Sequence, residues 1–128
     1  MYKIFTLGEI LKDVHLRDLT PKEIKKVAPE ELEKLRKSGK IISANDGGAP
    51  ANLAAYTCLV GGIATMVTGV GNDCWGDELI KNFRKYGVDI KASRKDFTDV
   101  ALVHVDKQGR HEFAKFLWDP CLMQTHQK

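Results

Sequence analysis

Gly62-Ile63-Ala64-Thr65-Met66-Val67-Thr68-Gly69-Val70 is apolar or β-branched at nearly every position, the pattern of a strand buried on both faces of a parallel sheet. The spacing after it predicts a helix over residues 76–86, with Leu79, Ile80 and Phe83 on one stripe and Gly87 as its stop. Upstream, Pro50 suits the first turn of a helix running to about residue 60. Strand and helix alternating through the middle of the chain imply an α/β fold, a parallel sheet with right-handed crossovers.

Toward the N-terminus, residues 2–8 form a short β-prone run ending in glycine, and residues 9–15 a second extended piece carrying Ile10, Leu11 and Val14. Thr20-Pro21-Lys22-Glu23 is a capping box with proline at the first helical position. Ile24, Val27, Ala28, Leu32 and Leu35 keep helical spacing, but Pro29 lacks an amide proton, so two short helices are expected before Gly39 stops them. Residues 40–44 are a strand candidate, and Asn45-Asp46-Gly47-Gly48 after them marks a bend or a close approach of backbone to a ligand. Toward the C-terminus, residues 100–106 and 111–118 flank Lys107-Gln108-Gly109-Arg110, whose glycine suits a hairpin turn. With no helix between them, these two strands are antiparallel and lie outside the parallel sheet.

The 128 residues are 43% hydrophobic and 29% charged with a net charge of +3, values of one ordinary globular domain. Residues 22–40 alone hold seven basic and four acidic side chains, a surplus equal to the whole net charge. Glu30 with Lys34 and Glu33 with Lys37 stand at i,i+4, the pattern of a solvated helix face, so no nucleic-acid partner is expected. The longest weakly polar stretch, residues 58–71, is interrupted by Thr65, Thr68 and glycines and is shorter than the ~20 apolar residues of a membrane helix, so no membrane partner is expected either. No secretory pattern follows Met1, which makes a cytoplasmic location the expectation. Cys58, Cys74 and Cys121 have no Cys-x-x-Cys spacing and read as reduced thiols. His15, His104, His111 and His126 lack metal-ligand spacing, and no metal site is expected.

Gly69-Val70-Gly71-Asn72-Asp73-Cys74-Trp75-Gly76 lies between strand and helix, where phosphates bind. A dinucleotide fingerprint needs glycine where Cys74 stands, and a phosphate loop needs Lys and Ser or Thr where Asp77 and Glu78 stand. An acidic pair at a helix start favours the helix dipole and repels phosphate, so a structural turn is the better reading. A Rossmann oxidoreductase fails on the same cysteine. In Gly47-Gly48-Ala49-Pro50-Ala51-Asn52, the Asn52 amide offers both donor and acceptor to a hydroxyl-rich ligand, or else bonds backbone at the helix start. Asp13, with Glu9 four residues earlier and Asp46 before the glycines, could accept from two adjacent sugar hydroxyls, although an Asp at a strand end is commonly a turn residue.

Taken in order, Gly8-Glu9-Ile10-Leu11-Lys12-Asp13, Gly47-Gly48-Ala49-Pro50-Ala51-Asn52-Leu53-Ala54, Gly71-Asn72-Asp73-Cys74-Trp75-Gly76 and Gly87-Val88-Asp89 resemble the N-terminal part of ribokinase-like (PfkB) carbohydrate kinases. The Gly-Glu opening together with Gly-Gly-Ala-Pro-Ala-Asn is most similar to the fructokinases of that family, and residues 98–113 continue a resemblance that covers about residues 3–116. It implies a single truncated domain over residues 1–128: a βαβα core at 47–97 and a small antiparallel β lid from residues 9–46 and 98–118. It also implies that Asp13 and Asn52 bind sugar hydroxyls while Gly47 and Gly48 line the site as the lid hinge. Glycines there would permit the backbone changes of lid closure, which excludes water from phosphoryl transfer.

The family reaction moves the γ-phosphoryl of ATP to a sugar hydroxyl with Mg²⁺. The Gly-Ala-Gly-Asp motif that carries the family's anion hole and catalytic base has no match in this chain, so no catalytic residue is assigned, Asp73 included. The aromatic-Arg pair that fructokinases tend to carry at the end of the second lid strand is also missing, since the chain reads Lys115-Phe116-Leu117-Trp118. The resemblance therefore implies the sugar-binding half of a sugar kinase, without its own ATP or Mg²⁺ site and inactive alone. The alternative is a non-catalytic sugar-binding or dimer-forming fragment whose lid strands pair between two chains.

Overall fold

The computed structural model describes residues 3–118, so the readings made on Cys121 and His126 fall outside it. Strands β1 (Lys3–Leu7), β4 (Ile63–Gly71) and β5 (Asp89–Lys95) form a parallel sheet in the order β1-β4-β5. Side chains alternate between the two faces of a strand, and the face bearing Ala64, Met66 and Val70 is fully buried. Helices α3 (Ala49–Leu59) and α4 (Cys74–Lys85) cover that face with Ala51, Ala54, Ala55, Leu79 and Phe83. On the opposite face Phe5, Leu7 and Ile63 are exposed. The expectation that residues 62–70 are buried on both sides is thus corrected: only the C-terminal half of β4 is, because among the described residues both helices lie on one side of the sheet.

Strand β5 was not expected. Its sequence, Asp89-Ile90-Lys91-Ala92-Ser93-Arg94-Lys95, exposes Asp89, Lys91, Ser93 and Arg94 and buries Ile90, which suits an edge strand with one wet face. Helix α4 starts at Cys74 rather than Gly76, because the Asp73 carboxylate caps it by accepting from the Gly76 amide at 2.7 Å.

The second sheet comprises β2 (Leu11–Leu16), β3 (Ile41–Gly47), β6 (Val100–Val105) and β7 (His111–Leu117) in the order β3-β2-β6-β7. Its outer pairs are antiparallel, and the central β2–β6 pair is parallel. Val14, Leu16, Val100, Leu102 and Leu117 form a core under α1 (Pro21–Lys25) and α2 (Leu32–Lys37), which bring Ile24 and Leu32. The Thr20 capping box forms as expected, with Thr20 Oγ1 accepting from the Glu23 amide and Glu23 from the Thr20 amide. Pro29 opens a short 3₁₀ turn (Pro29–Glu31) between the helices. Glu33 pairs with Arg36 at 2.6 Å, one residue short of the expected partner Lys37.

Asn45, Asp46 and Gly47 continue β3, so the bend expected there begins one glycine later, at Gly48. Gly48 sits at φ 107, and a Cβ on it would stand 2.8 Å from the carbonyl oxygen of Glu9. The link from β3 into α3 therefore lies directly against the link from β1 into β2. The third link, from β5 into β6, is tied back by Thr98, whose amide and hydroxyl both donate to Asp73.

Candidate functional site

Asp13 lies on β2 opposite Asn45, on the side of the second sheet away from α1 and α2, and is half-buried. Its carboxylate carries no hydrogen bond or ion pair among the described residues, which leaves its acceptor sites open. Gly47 is pressed against it: a Cβ at Gly47 would lie 2.7 Å from Asp13 Oδ2. Gly47, Gly48 and Asp13 are thus brought together, the two glycines for space and for backbone shape respectively. His15 follows on the same face of β2, with Nδ1 2.9 Å from Ser43 Oγ and its ring edge-on to His111 at 4.8 Å.

Asn52 is not joined to that group. It sits one turn into α3, its amide nitrogen donating to the Gly48 carbonyl at 2.9 Å, and its exposed side chain makes no hydrogen bond among the described residues. It lines a recess of about 200 Å³ with Asp46, Tyr56 and Phe83. A larger hollow of about 540 Å³, lined by residues such as Arg17, Asp18 and His104, holds none of the expected site residues.

Sequence reasoning missed Lys12. The side chain is 1% exposed and its Nζ donates to Asp46 Oδ1 at 2.5 Å and to Glu78 Oε1 at 2.8 Å, while Asp46 Oδ2 accepts from Asn82 Nδ2 at 2.8 Å. Burial works against the charge, but the hydrogen bonds and negative charge of Asp46 and Glu78 outweigh it and hold the ammonium above its ordinary 10.5. The signal was present: in the alternation Ile10, Lys12, Val14, Leu16, a lysine occupies an inward position and must find anionic partners there.

The glycine-rich turn at residues 69–76 has no room for phosphate. Asp73 accepts from the Gly76 amide and from Thr98, so its carboxylate stands at the start of α4 where a phosphate would have to bind. Cβ atoms at Gly71 and Gly76 would meet backbone atoms at 2.1 Å, which makes the turn a packed joint rather than a cradle. The residues present here do not fit a nucleotide. Among the described residues no three His, Cys, Asp or Glu side chains converge to hold a metal ion, Cys58 and Cys74 are free thiols, and no helix is long and apolar enough to cross a membrane.

Residues 5–126 match the model of the pfkB family carbohydrate kinase. The chain is 30% identical to the crystal structure of fructokinase from Xylella fastidiosa, with a TM-score of 0.66 over 92% of this chain and 34% of that one. Against ribokinase from Thermotoga maritima the values are 26% and 0.60, over 88% of this chain and 35% of that one. An uncharacterized sugar kinase from Pyrococcus horikoshii gives 26% and 0.60, over 92% and 34%. In sequence, 60 residues are 35% identical to the same archaeal protein, 47% of this chain and 19% of that protein. The chain spans about a third of the length of these solved structures. An α/β core, a second sheet seated on it by three short links, and a family match over nearly every residue lead to one conclusion: the chain belongs to the pfkB family of carbohydrate kinases.

Proposed function

We propose that this chain is the sugar-binding portion of a fructokinase-like enzyme of the family, with the second sheet as its lid. In this reading Asp13 accepts hydrogen bonds from sugar hydroxyls, Gly47 and Gly48 line the site and carry the hinge, and Asn52 adds a second polar contact when the lid closes. The observation that carries it is the open carboxylate of Asp13 against a glycine that leaves it no Cβ to collide with. A carboxylate free of protein partners and fixed beside a flexible link suits a vicinal diol, because one carboxylate can accept from two hydroxyls. The complete enzyme would transfer the γ-phosphoryl of ATP to a sugar hydroxyl with Mg²⁺. Among the described residues we assign no base, anion hole or nucleotide site for that step, and we propose no activity for this chain alone. A cytoplasmic location accompanies the reading.

Titrating the purified chain with fructose while following backbone amide resonances tests the proposal. The expected result is saturable shifts at Asp13, Gly47 and Gly48, with no ADP formed when ATP is added. Shifts absent at all three, or steady ADP production, would sink it. The second reading, a dimer through the lid strands, is favoured by β7, an edge strand of that sheet that exposes Phe113 and Phe116. Light scattering across a concentration series, repeated on Phe113→Lys, tests it: a rise in mass that the substitution leaves unchanged goes against pairing through β7.

A further inference from the structure

We propose that Lys12 is a positioning residue: with Asp46, Glu78 and Asn82 it latches the second sheet to α4 and so fixes the angle at which Asp13 is presented. The latch follows from the geometry of the two sheets alone, and its effect on sugar rests on the reading above.

The two sheets are joined by three short backbone links; the β5–β6 link is tied to the start of α4 through Thr98 and Asp73, and among the described residues no side-chain hydrogen bond ties the other two. The Gly48 link in particular has the backbone freedom to turn. Trp75 and Phe97 pack against the second core beside the β5–β6 link, so at the Gly48 side resistance must come from other side chains that cross the gap. Lys12 and Asp46 are direct cross-strand partners at the end of the β2–β3 ladder nearest Asp13 and Gly47. Each then reaches α4, Lys12 through Glu78 and Asp46 through Asn82. Two parallel hydrogen bonds from one strand pair to two positions a turn apart on one helix fix an orientation as well as a distance, as a single contact could not.

Stability alone does not explain a cation here. A buried ion pair commonly gives no more than an apolar replacement of equal volume, because desolvating the charges costs as much as their attraction returns. What a charged network adds is a specific arrangement. The two arms differ as a latch requires: Asp46 is 19% exposed and cross-strand, while Glu78 is 51% exposed on a separate element. The Glu78 arm is reached by water and can be released without opening the core.

The test uses residual dipolar couplings on the full chain. In the wild type, couplings from β1, β4 and β5 and from β2, β3, β6 and β7 should fit one alignment tensor. In Glu78→Ala, and in Lys12→Met where that variant folds, each sheet should keep its internal couplings while the two require separate tensors. A structural contact with no positioning role would leave the common tensor intact, and that result in Glu78→Ala overturns the proposal. Fructose titration of the same variant should show a dissociation constant raised about threefold if release leaves the competent angle a third populated. If the wild type binds no fructose, the sugar reading falls and the tensor comparison still decides the latch.

Discussion

Lys12 shares an inward row with Ile10, Val14 and Leu16, and its charge survives there only because two carboxylates meet it. Its ammonium is held above 10.5, so it binds its proton more tightly in the folded than in the unfolded chain. Its contribution is therefore complete below about pH 10.5 and is lost as pH rises through the higher folded value. Chemical denaturation of wild type and Lys12→Met from about pH 9 to 11.5 should show the wild type losing stability relative to the variant only above that point. Asp13→Asn keeps the shape of the side chain and removes its charge. Fructose affinity should fall about tenfold, the scale of a hydrogen bond to a charged acceptor, with the melting temperature nearly unchanged. At this scale the sequence singled out Asp13 and Gly47 separately, and their contact comes from the β2–β3 pairing, which no motif encodes. The sequence was not legible for the Lys12 partners either, because Glu78 is far away in sequence and the turn of α4 that brings it close is set by tertiary packing.

Helices and strands report how much local signal sufficed. The Thr20 capping box and the Pro29 break were readable because each acts within four residues. Replacing Thr20 by Ala should lower the melting temperature by about 2–5 °C, since the cap satisfies an amide of a helix only five residues long. Scanning calorimetry measures it. Strand β5 was missed because four of its seven residues are charged and only Ile90 is large and apolar, a composition that loops share. The length of β3 was missed for a related reason: Asn45, Asp46 and Gly47 are turn formers by preference, yet pairing with Leu11, Lys12 and Asp13 holds them extended. Helix α3 shows the converse. It buries Ala51, Ala54 and Ala55 and still presents Leu53, Tyr56, Leu59 and Val60 outward, so its two sides are equally apolar.

Across the whole molecule those outward residues on one side of the first sheet, and Phe5, Leu7 and Ile63 on the other, leave two apolar surfaces exposed, and β1 leaves one edge without a partner among the described strands. Apolar surface of this extent on a monomer invites association. The purified chain should show a weight-average mass that rises with concentration, and Phe5→Lys together with Leu59→Lys should reduce that rise; light scattering reads both. The division into two sheets was legible from the missing helix between residues 106 and 111, while the parallel pairing of β2 with β6 was not, since nothing local encodes which distant strand fills the centre of a sheet. That pairing has a temporal consequence. Strand β2 leaves the ribosome early, yet its central neighbour comprises residues 100–105, which at about 5–20 residues per second reach it several seconds later. Through that interval Val14 and Leu16 have no finished core to enter, so a nascent chain stalled before residue 100 should be captured by chaperones and cut by protease across residues 11–47, and one stalled well past residue 117 should resist both.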